Sequence, residues 1–428
     1  MRQYFLHCSD FKFKNLHLKI LPTRSRKKVK YADIVCAFDI ETTNIDKYRQ
    51  AVMYIWQFQI GRQWTVYGRT WEEFTTFINR LQQCLPDDEA YIVILVHNLS
   101  FEWQYIKSII PVDEVFAMDD RKILRVRSGR LEFRCSYIHS NMSLEKYLQA
   151  MDVPDKKVKG FNYRKKRYPW TPLTKAELKY CINDVRGLVQ AYSIEMQRDG
   201  DDLYSIPLTS TGYSRRLAKQ ALGPYRRWIK GLLPDLDCFQ ALRRAFRGGD
   251  THANRYNSNI IIDGSKTGGI HSWDISSSYP AVMLTERFPR ELIRTEPEQF
   301  ESAYKHGKAC LIHIYMEDVK LHDKRWGSPY IPKAKCERLA GAVMDNGRVL
   351  SADHLDMYIT EIDFEILAAE YDFKYSIIDL WTGTKSRLPE KFRELLLQTY
   401  IEKTQLKGGD AYTYGKKKNL FNSYYGMT

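Results

Sequence analysis

Apolar and polar positions in the first two hundred residues follow a pattern that predicts strands alternating with helices. The first clear strand runs from Ile34 to Phe38, with further candidates at Met53 to Ile60 and Thr65 to Tyr67. All are apolar-rich and partly β-branched. A helical stretch from Trp71 to Gln83 precedes Tyr91-Ile92-Val93-Ile94-Leu95-Val96, which reads as a fully buried strand leading at once into a helix. Another helix begins after Thr174, with Glu177 at capping-box spacing and an apolar face behind it. Such alternation predicts an α/β domain. Helical spacing returns from Pro389 to Lys407, whereas 299–356 is rich in Pro, Gly and charge and reads as an irregular insertion. No internal repeat is present.

At 428 residues the chain exceeds one ordinary core, so about two or three domains are expected. Its 44% hydrophobic and 28% charged residues are those of a soluble globular protein. The net charge of +14, from 66 Lys and Arg against 52 Asp and Glu, fits a polyanionic partner. Basic segments stand at Thr23 to Lys28 and Lys156 to Trp170, and Arg pairs at 215–216, 226–227 and 243–244. The 29 Tyr suit stacking on unpaired bases, although most aromatics fill cores. Eight Cys without a CxxC pair suggest neither a disulfide framework nor a zinc site, and fit reduced thiols in a cytoplasmic setting. The start leads to no apolar signal region and no run approaches membrane-spanning length, so no membrane association is expected.

Three motifs suggest phosphodiester hydrolysis. Phe38-Asp39-Ile40-Glu41-Thr42-Thr43 closes a buried strand. Side chains two apart point to one side, so Asp39 and Glu41 can grip one pair of metals. In His97-Asn98-Leu99-Ser100-Phe101-Glu102, Ser100 can cap the next helix and place Glu102 in its first turn. In Tyr180-Cys181-Ile182-Asn183-Asp184, Tyr180 and Asp184 lie one helical turn apart. A carboxylate to hold metal beside a phenol to orient water suits hydrolysis with two Mg²⁺ ions roughly 4 Å apart. Each motif alone is better explained by solvated or capping acids; their order and placement together are not.

Three later motifs suggest nucleotidyl transfer. Phe246-Arg247-Gly248-Gly249 offers paired glycines that permit close backbone approach to a ligand. His271 to Pro280 reads as a strand turning into a helix, with Asp274 at the strand end and Pro280 at the helix's first position. Lys418, Asn422 and Tyr425 share a face if the last segment is one helix. A cation, an amide and a flat ring can there meet triphosphate, primer-template and base pair.

The first three motifs resemble those of the DEDD proofreading nucleases, in the version with Tyr in the third motif. The resemblance covers roughly residues 30 to 190 and implies a ribonuclease H-like fold with 3′→5′ direction. It departs at Glu102, where the family usually has Asp; the extra methylene moves the carboxylate by about 1.5 Å. It departs again at Arg134-Cys135-Ser136, where an Asp is usual. The later motifs resemble family B DNA polymerases: motif A at Asp274, with Ser278 in place of Leu, motif B at Lys418, and the Y-x-G-G element at Phe246, with Phe for Tyr. Compact size, the HNL form of the second motif and the insertion point to the protein-primed subgroup of phages and linear plasmids.

These resemblances imply an exonuclease domain at 1–195, a helical linker at 196–240, and a partial palm (α+β) with fingers helices at 241–428. A terminal-protein region would lie at 299–356. They imply catalytic roles for Asp39, Glu41, Glu102, Tyr180, Asp184 and Asp274, the carboxylates holding Mg²⁺ with Mn²⁺ as an alternative. Tyr279 would be the steric gate against ribonucleotides, and Lys403, Lys418, Asn422 and Tyr425 would complete the nucleotide site. Thr42, Asn98, Phe101, Phe246, Arg247, Gly248, Gly249, Ser423 and Gly426 would contact DNA. Expected partners are primer-template and single-stranded DNA, dNTPs, a terminal priming protein, and a second polypeptide. The last is expected because no Y-x-D-T-D-S segment or thumb follows motif B, which reads as a truncated or split polymerase. The expected function is viral DNA replication in the host cytoplasm. The alternatives are a stand-alone exonuclease and a noncatalytic DNA-binding replication factor.

Overall fold

The computed structural model describes residues 4–22, 29–45, 50–154, 162, 164–253, 257, 259–275, 277–322 and 328–427. The basic stretch Thr23 to Lys28, most of 156–163 and Ser276 lie outside them. The chain divides into two compact units, Met1–Arg216 with Lys403–Ser423, and Leu217–Glu402 with Tyr424–Thr428.

The first unit is built on an eight-stranded sheet, in order β1-β4-β3-β2-β5-β8-β7-β6. Its strands are Tyr4–His7 (β1), Lys30–Ile45 (β2), Gln50–Ile60 (β3), Trp64–Gly68 (β4), Ala90–Val96 (β5), Glu114–Ala117 (β6), Ile123–Ser128 (β7) and Leu131–Cys135 (β8). The pairs β1–β4, β2–β5 and β5–β8 are parallel, and the rest antiparallel. Helix α1 spans Trp71–Gln83, with a capping box between Thr70 and Glu73. Next come α2 (Leu99–Ile106), α3 (Ser136–Ser140), α4 (Leu144–Ala150) and α5 (Lys175–Asp199), the last capped by Thr174 and Glu177 as its spacing predicts.

Side-chain alternation along β2 assigns the two faces of this sheet. Cys36, Phe38 and Ile40 enter one core with the apolar faces of α1 and α2. Val35 and Ala37 enter a second core with Tyr147 and Leu148 of α4 and Val185, Leu188 and Tyr192 of α5. Asp39 and Glu41 continue the second set, so the carboxylates point to the α5 side.

Glu195, buried near the end of α5, joins four partners. It accepts hydrogen bonds from His139 Nε2 (3.0 Å), the Tyr147 hydroxyl (2.6 Å), the Tyr412 hydroxyl (3.1 Å) and Lys416 Nζ (2.8 Å). Burial opposes its charge, but His139 and Lys416 outweigh that and hold the carboxyl well below the usual range.

The segment 196–240 contains α6 (Ser210–Leu222), α7 (Arg226–Gly231) and the start of α8 (Leu236–Ala245). The second unit then has α9 (Ser278–Thr285), short strands Phe288–Pro289 (β9) and Ile293–Thr295 (β10), and α10 (Phe300–Lys305). Long strands follow at Ala309–Leu321 (β11), Arg348–Thr360 (β14) and Tyr371–Gly383 (β15), with shorter Cys336–Ala340 (β12), Val343–Asp345 (β13) and Lys385–Ser386 (β16). Strands β10, β15, β11, β14 and β12 lie side by side in that order, with β13 on β14. The expectation of irregular structure over 299–356 is therefore wrong. Cys310, Ile312, Ile314 and Met316 alternate into a core with Val349, Leu355, Met357 and Ile359, beside α11 (Glu361–Glu370). The Pro, Gly and charge occupy the connections between strands. Helices α12 (Glu390–Gln405) and α13 (Ala411–Ser423) follow. Among the described residues no helix is long and apolar enough to cross a membrane.

Candidate active site

Carboxylate oxygens of Asp39, Glu41 and Asp184 lie within 4.8 Å of one another. Asp39 and Glu41 come from β2, opposite Gln57 and Ile55 of β3, just before a register shift at Thr42. Asp184 is on α5, one turn after the buried Tyr180. Gln57 Nε2 donates to Asp39 Oδ2 at 2.6 Å and fixes that carboxylate.

Glu102, in the first turn of α2, is buried beside Asp39. Burial, and then the Asp39 carboxylate beside it, push its carboxyl well above the usual range. Its Oε2 has no hydrogen-bonding partner among the described residues. Glu102 thus stands beside Asp39 but is not among the three carboxylates whose oxygens lie within 4.8 Å of one another. Ser100 is not the cap of α2: the helix starts at Leu99, after a left-handed Asn98 (φ 82°), and Ser100 Oγ accepts from the Ile123 amide at 3.2 Å. Asn98 and Phe101 are exposed, and Thr42 bonds the Tyr105 hydroxyl. Arg134 is buried and paired with Glu132 at 2.7 Å.

In the second unit Asp274 is exposed in a segment without regular secondary structure. Its neighbours Trp273 and Ile275 are exposed too, so the described residues supply no pairing partner for the expected strand. Pro280 is the third residue of α9 and not the first, because the helix starts at Ser278. Tyr279 packs against Tyr425 with ring centroids 4.3 Å apart, and a side chain at Gly249 would approach the Tyr279 hydroxyl to 3.7 Å. Gly248 and Phe246 are exposed. The Arg247 guanidinium lies 4.5 Å from the Tyr330 ring centre and 3.5 Å from Asp363.

The single helix expected from Lys418 through Tyr425 is also corrected. Helix α13 ends at Ser423, whose hydroxyl caps back onto the Asn419 carbonyl at 2.6 Å. Tyr424 is buried, and Tyr425 and Gly426 belong to a following 3-10 turn. Lys418 and Asn422 are exposed on α13, whereas Lys416 of the same basic run is committed to Glu195 and Asp199. Lys403 sits 5.0 Å from the Phe421 ring centre, and burial and then Lys418 lower its pKa. Two cations are thus held near each other, an arrangement suited to a polyanion.

The family model for DNA polymerase type B, organellar and viral, matches residues 139–427. The chain belongs to this family. Its fold is also that of Phi29 DNA polymerase. The complex with single-stranded DNA aligns with a TM-score of 0.66 at 16% identity, over 92% of this chain and 67% of that one. The ternary complex with primer-template DNA and incoming nucleotides gives 0.67 at 17%, over 92% and 68%. No curated protein matches the chain.

Several residues of this type B polymerase chain escaped sequence reasoning. Gln57 is one; only the cross-strand register reveals it. The loop 164–171 is another. The Arg167 amide donates to Thr43 Oγ1 at 3.0 Å, and its side chain pairs with Glu177 at 2.8 Å. Arg69 holds the loop by the carbonyls of Tyr168 and Thr171. Tyr168 and Trp170 stack at 5.1 Å and 7°, with Trp170 78% exposed. The basic-aromatic composition was legible, but not its placement beside the end of β2.

Proposed function

We propose that this chain of the type B polymerase family carries a 3′→5′ exonuclease centre at Asp39, Glu41, Glu102 and Asp184, with nucleotide-selecting elements of the polymerase centre. The observation that carries the exonuclease reading is the convergence of four carboxyls from β2, α2 and α5. Three of them lie within 4.8 Å, and the fourth is buried with an orphaned oxygen. Like charges so close are mutually unfavourable, and a divalent cation relieves them. The donor set, all carboxylate oxygen, fits Mg²⁺, with Mn²⁺ able to replace it.

A pair of such ions would supply an activated water and neutralise the leaving oxygen. Gln57 holds Asp39 in one orientation. Tyr180 stands one turn from Asp184 to orient the attacking water. The Tyr168–Trp170 stack offers unpaired bases an aromatic platform. Thr42, Asn98 and Phe101 would guide the same strand.

For synthesis, Asp274 would hold metal and Tyr279 would exclude the ribose 2′-hydroxyl. Lys403 and Lys418 would meet the triphosphate, with Asn422 and Tyr425 at the base pair. Phe246, Arg247, Gly248, Gly249, Ser423 and Gly426 would contact primer-template. A further proposed partner is a terminal priming protein, in the host cytoplasm. The test is degradation of 5′-labelled single-stranded DNA with Mg²⁺. The reading expects shortening from the 3′ end that Asp39→Ala abolishes; an inactive unmutated chain would favour the noncatalytic replication factor.

A further inference from the structure

We propose that His7, Cys8 and Glu73 form a Zn²⁺ site separate from the acidic cluster, with a fourth position open to water. One imidazole nitrogen, the Cys8 sulfur and one Glu73 oxygen lie within 4.8 Å of one another. His7 Nε2 is 3.5 Å from Glu73 Oε1, and Cys8 Sγ is 3.9 Å from His7 Nδ1. Tetrahedral zinc, with bonds of about 2.0–2.3 Å, separates its ligand atoms by about 3.3–3.8 Å. The Nε2–Oε1 pair already stands at that separation, while Cys8 Sγ, 3.9 Å from the other ring nitrogen, must swing toward Nε2 for the three to close on one ion. Sulfur, imidazole and one carboxylate select zinc and exclude Mg²⁺ and Ca²⁺, which take oxygen.

Two of the donors, Glu73 and His7, are held from behind. Glu73 Oε2 accepts the amides of Arg69 (2.6 Å) and Thr70 (3.0 Å) in the cap of α1, which leaves Oε1 facing His7. The His7 ring packs edge-on to Tyr67 at 5.2 Å. His7 Nδ1 lies 2.9 Å from Ser9 Oγ, which in turn donates to Asp10 Oδ1 at 3.3 Å. With Nε2 on the metal, Nδ1 carries the hydrogen and Ser9 Oγ accepts it, an outer-shell bond of the kind that orients metal-bound histidines. The longer contact from the Ser9 amide to Nδ1, 3.3 Å, is given up.

Binding replaces the Cys8 S–H bond by a sulfur–zinc bond and releases one proton to solvent; no electron moves. The His7 and Glu73 side chains are 28% and 32% exposed, so water can reach the open position. The ion would bolt the edge strand β1 to the first turn of α1. No CxxC spacing announces the site because its ligands come from two segments, 7–8 and 73.

The full chain, stripped with chelator, is titrated with Co²⁺ and with Zn²⁺. The expected result is a near-ultraviolet thiolate-to-cobalt absorption that saturates at one ion per chain and is displaced by Zn²⁺. Cys8→Ser should abolish the band, and His7→Gln should weaken affinity by at least about 10-fold. Cys84→Ser and Asp39→Asn should leave it intact, so failure of the exonuclease reading would not touch this result. Melting of Cys8→Ser at the metal-free wild-type temperature verifies its fold; if it melts lower, His7→Gln alone decides. Absence of the band, or its survival in both Cys8→Ser and His7→Gln, overturns the proposal.

Discussion

Gln57 and Asp39 face each other across β3 and β2, and the Gln57 amide donates to the Asp39 carboxylate at 2.6 Å. A buried amide that orients a metal-facing carboxylate typically contributes about 10–100-fold to metal affinity or activity. Gln57→Leu, close in volume, should lower the exonuclease kcat/KM by that factor. Asp39→Ala should lower it further. Equal activity of Gln57→Leu and the unmutated chain would remove Gln57 from the site.

Glu102 gives a stability prediction with a definite sign. Its folded pKa is raised, so its contribution is intact below the unfolded carboxyl pKa of about 4.3 and is lost as pH rises through the folded value. Glu102→Gln should therefore match the unmutated chain near pH 4 and melt higher at neutral pH without divalent ions. It should also lose the stabilisation that Mg²⁺ confers. Thermal melts across pH, with and without Mg²⁺, give the comparison.

Glu177 has the opposite sign. Burial disfavours its charge, but Lys165, the Thr174 amide and Arg167 outweigh that and bring the carboxyl down to about 2. Its contribution is present above the unfolded pKa of about 4.3 and is lost as pH falls toward 2. Glu177→Gln should cost about 1.5–3 kcal/mol at neutral pH, and much less near pH 2.5. A constant difference across that window would refute the assignment.

Trp170 is exposed and stacked on Tyr168. Trp170→Ala should weaken single-stranded DNA by about 1–3 kcal/mol, raising KM while leaving kcat within about twofold. Titration with oligodeoxythymidine, followed by tryptophan fluorescence, reports the same contact directly. Unchanged KM would assign the ring to another role.

The tilted Tyr279–Tyr425 ring pair predicts a coupling of about 0.5–1.5 kcal/mol in a double-mutant cycle of Tyr→Ala changes, read by denaturant unfolding. Strict additivity would mean that the rings pack without mutual stabilisation.

Much of the first unit was legible because local signals agreed. Helix α1 occupies Trp71–Gln83 as its periodicity predicts, and α5 starts at its Thr174–Glu177 capping box. The four carboxyls of the proposed centre were legible as motifs, since each lies on a recognisable strand or helix. Ser100 misled because a Ser near a helix start reads as a cap, while the left-handed backbone at Asn98 leaves no local signature. Asp274 misled because apolar residues around it suggest a strand, and strand pairing is not a local property. In β11 the period-2 pattern was present at Cys310, Ile312, Ile314 and Met316, but the polar connections around it diluted the signal. Gln57 and the His7–Cys8–Glu73 group depend on segments far apart in the chain, which spacing rules do not register.

The bond from Lys416 to Glu195 spans 221 positions in the chain. At translation rates of about 5–20 residues per second, the carboxylate waits roughly 10–45 s for this partner to be synthesised. During that interval His139 and Tyr147 are its available companions, and the first unit must be sound enough to persist with one cation missing. This contact of the first unit must therefore await the synthesis of α13.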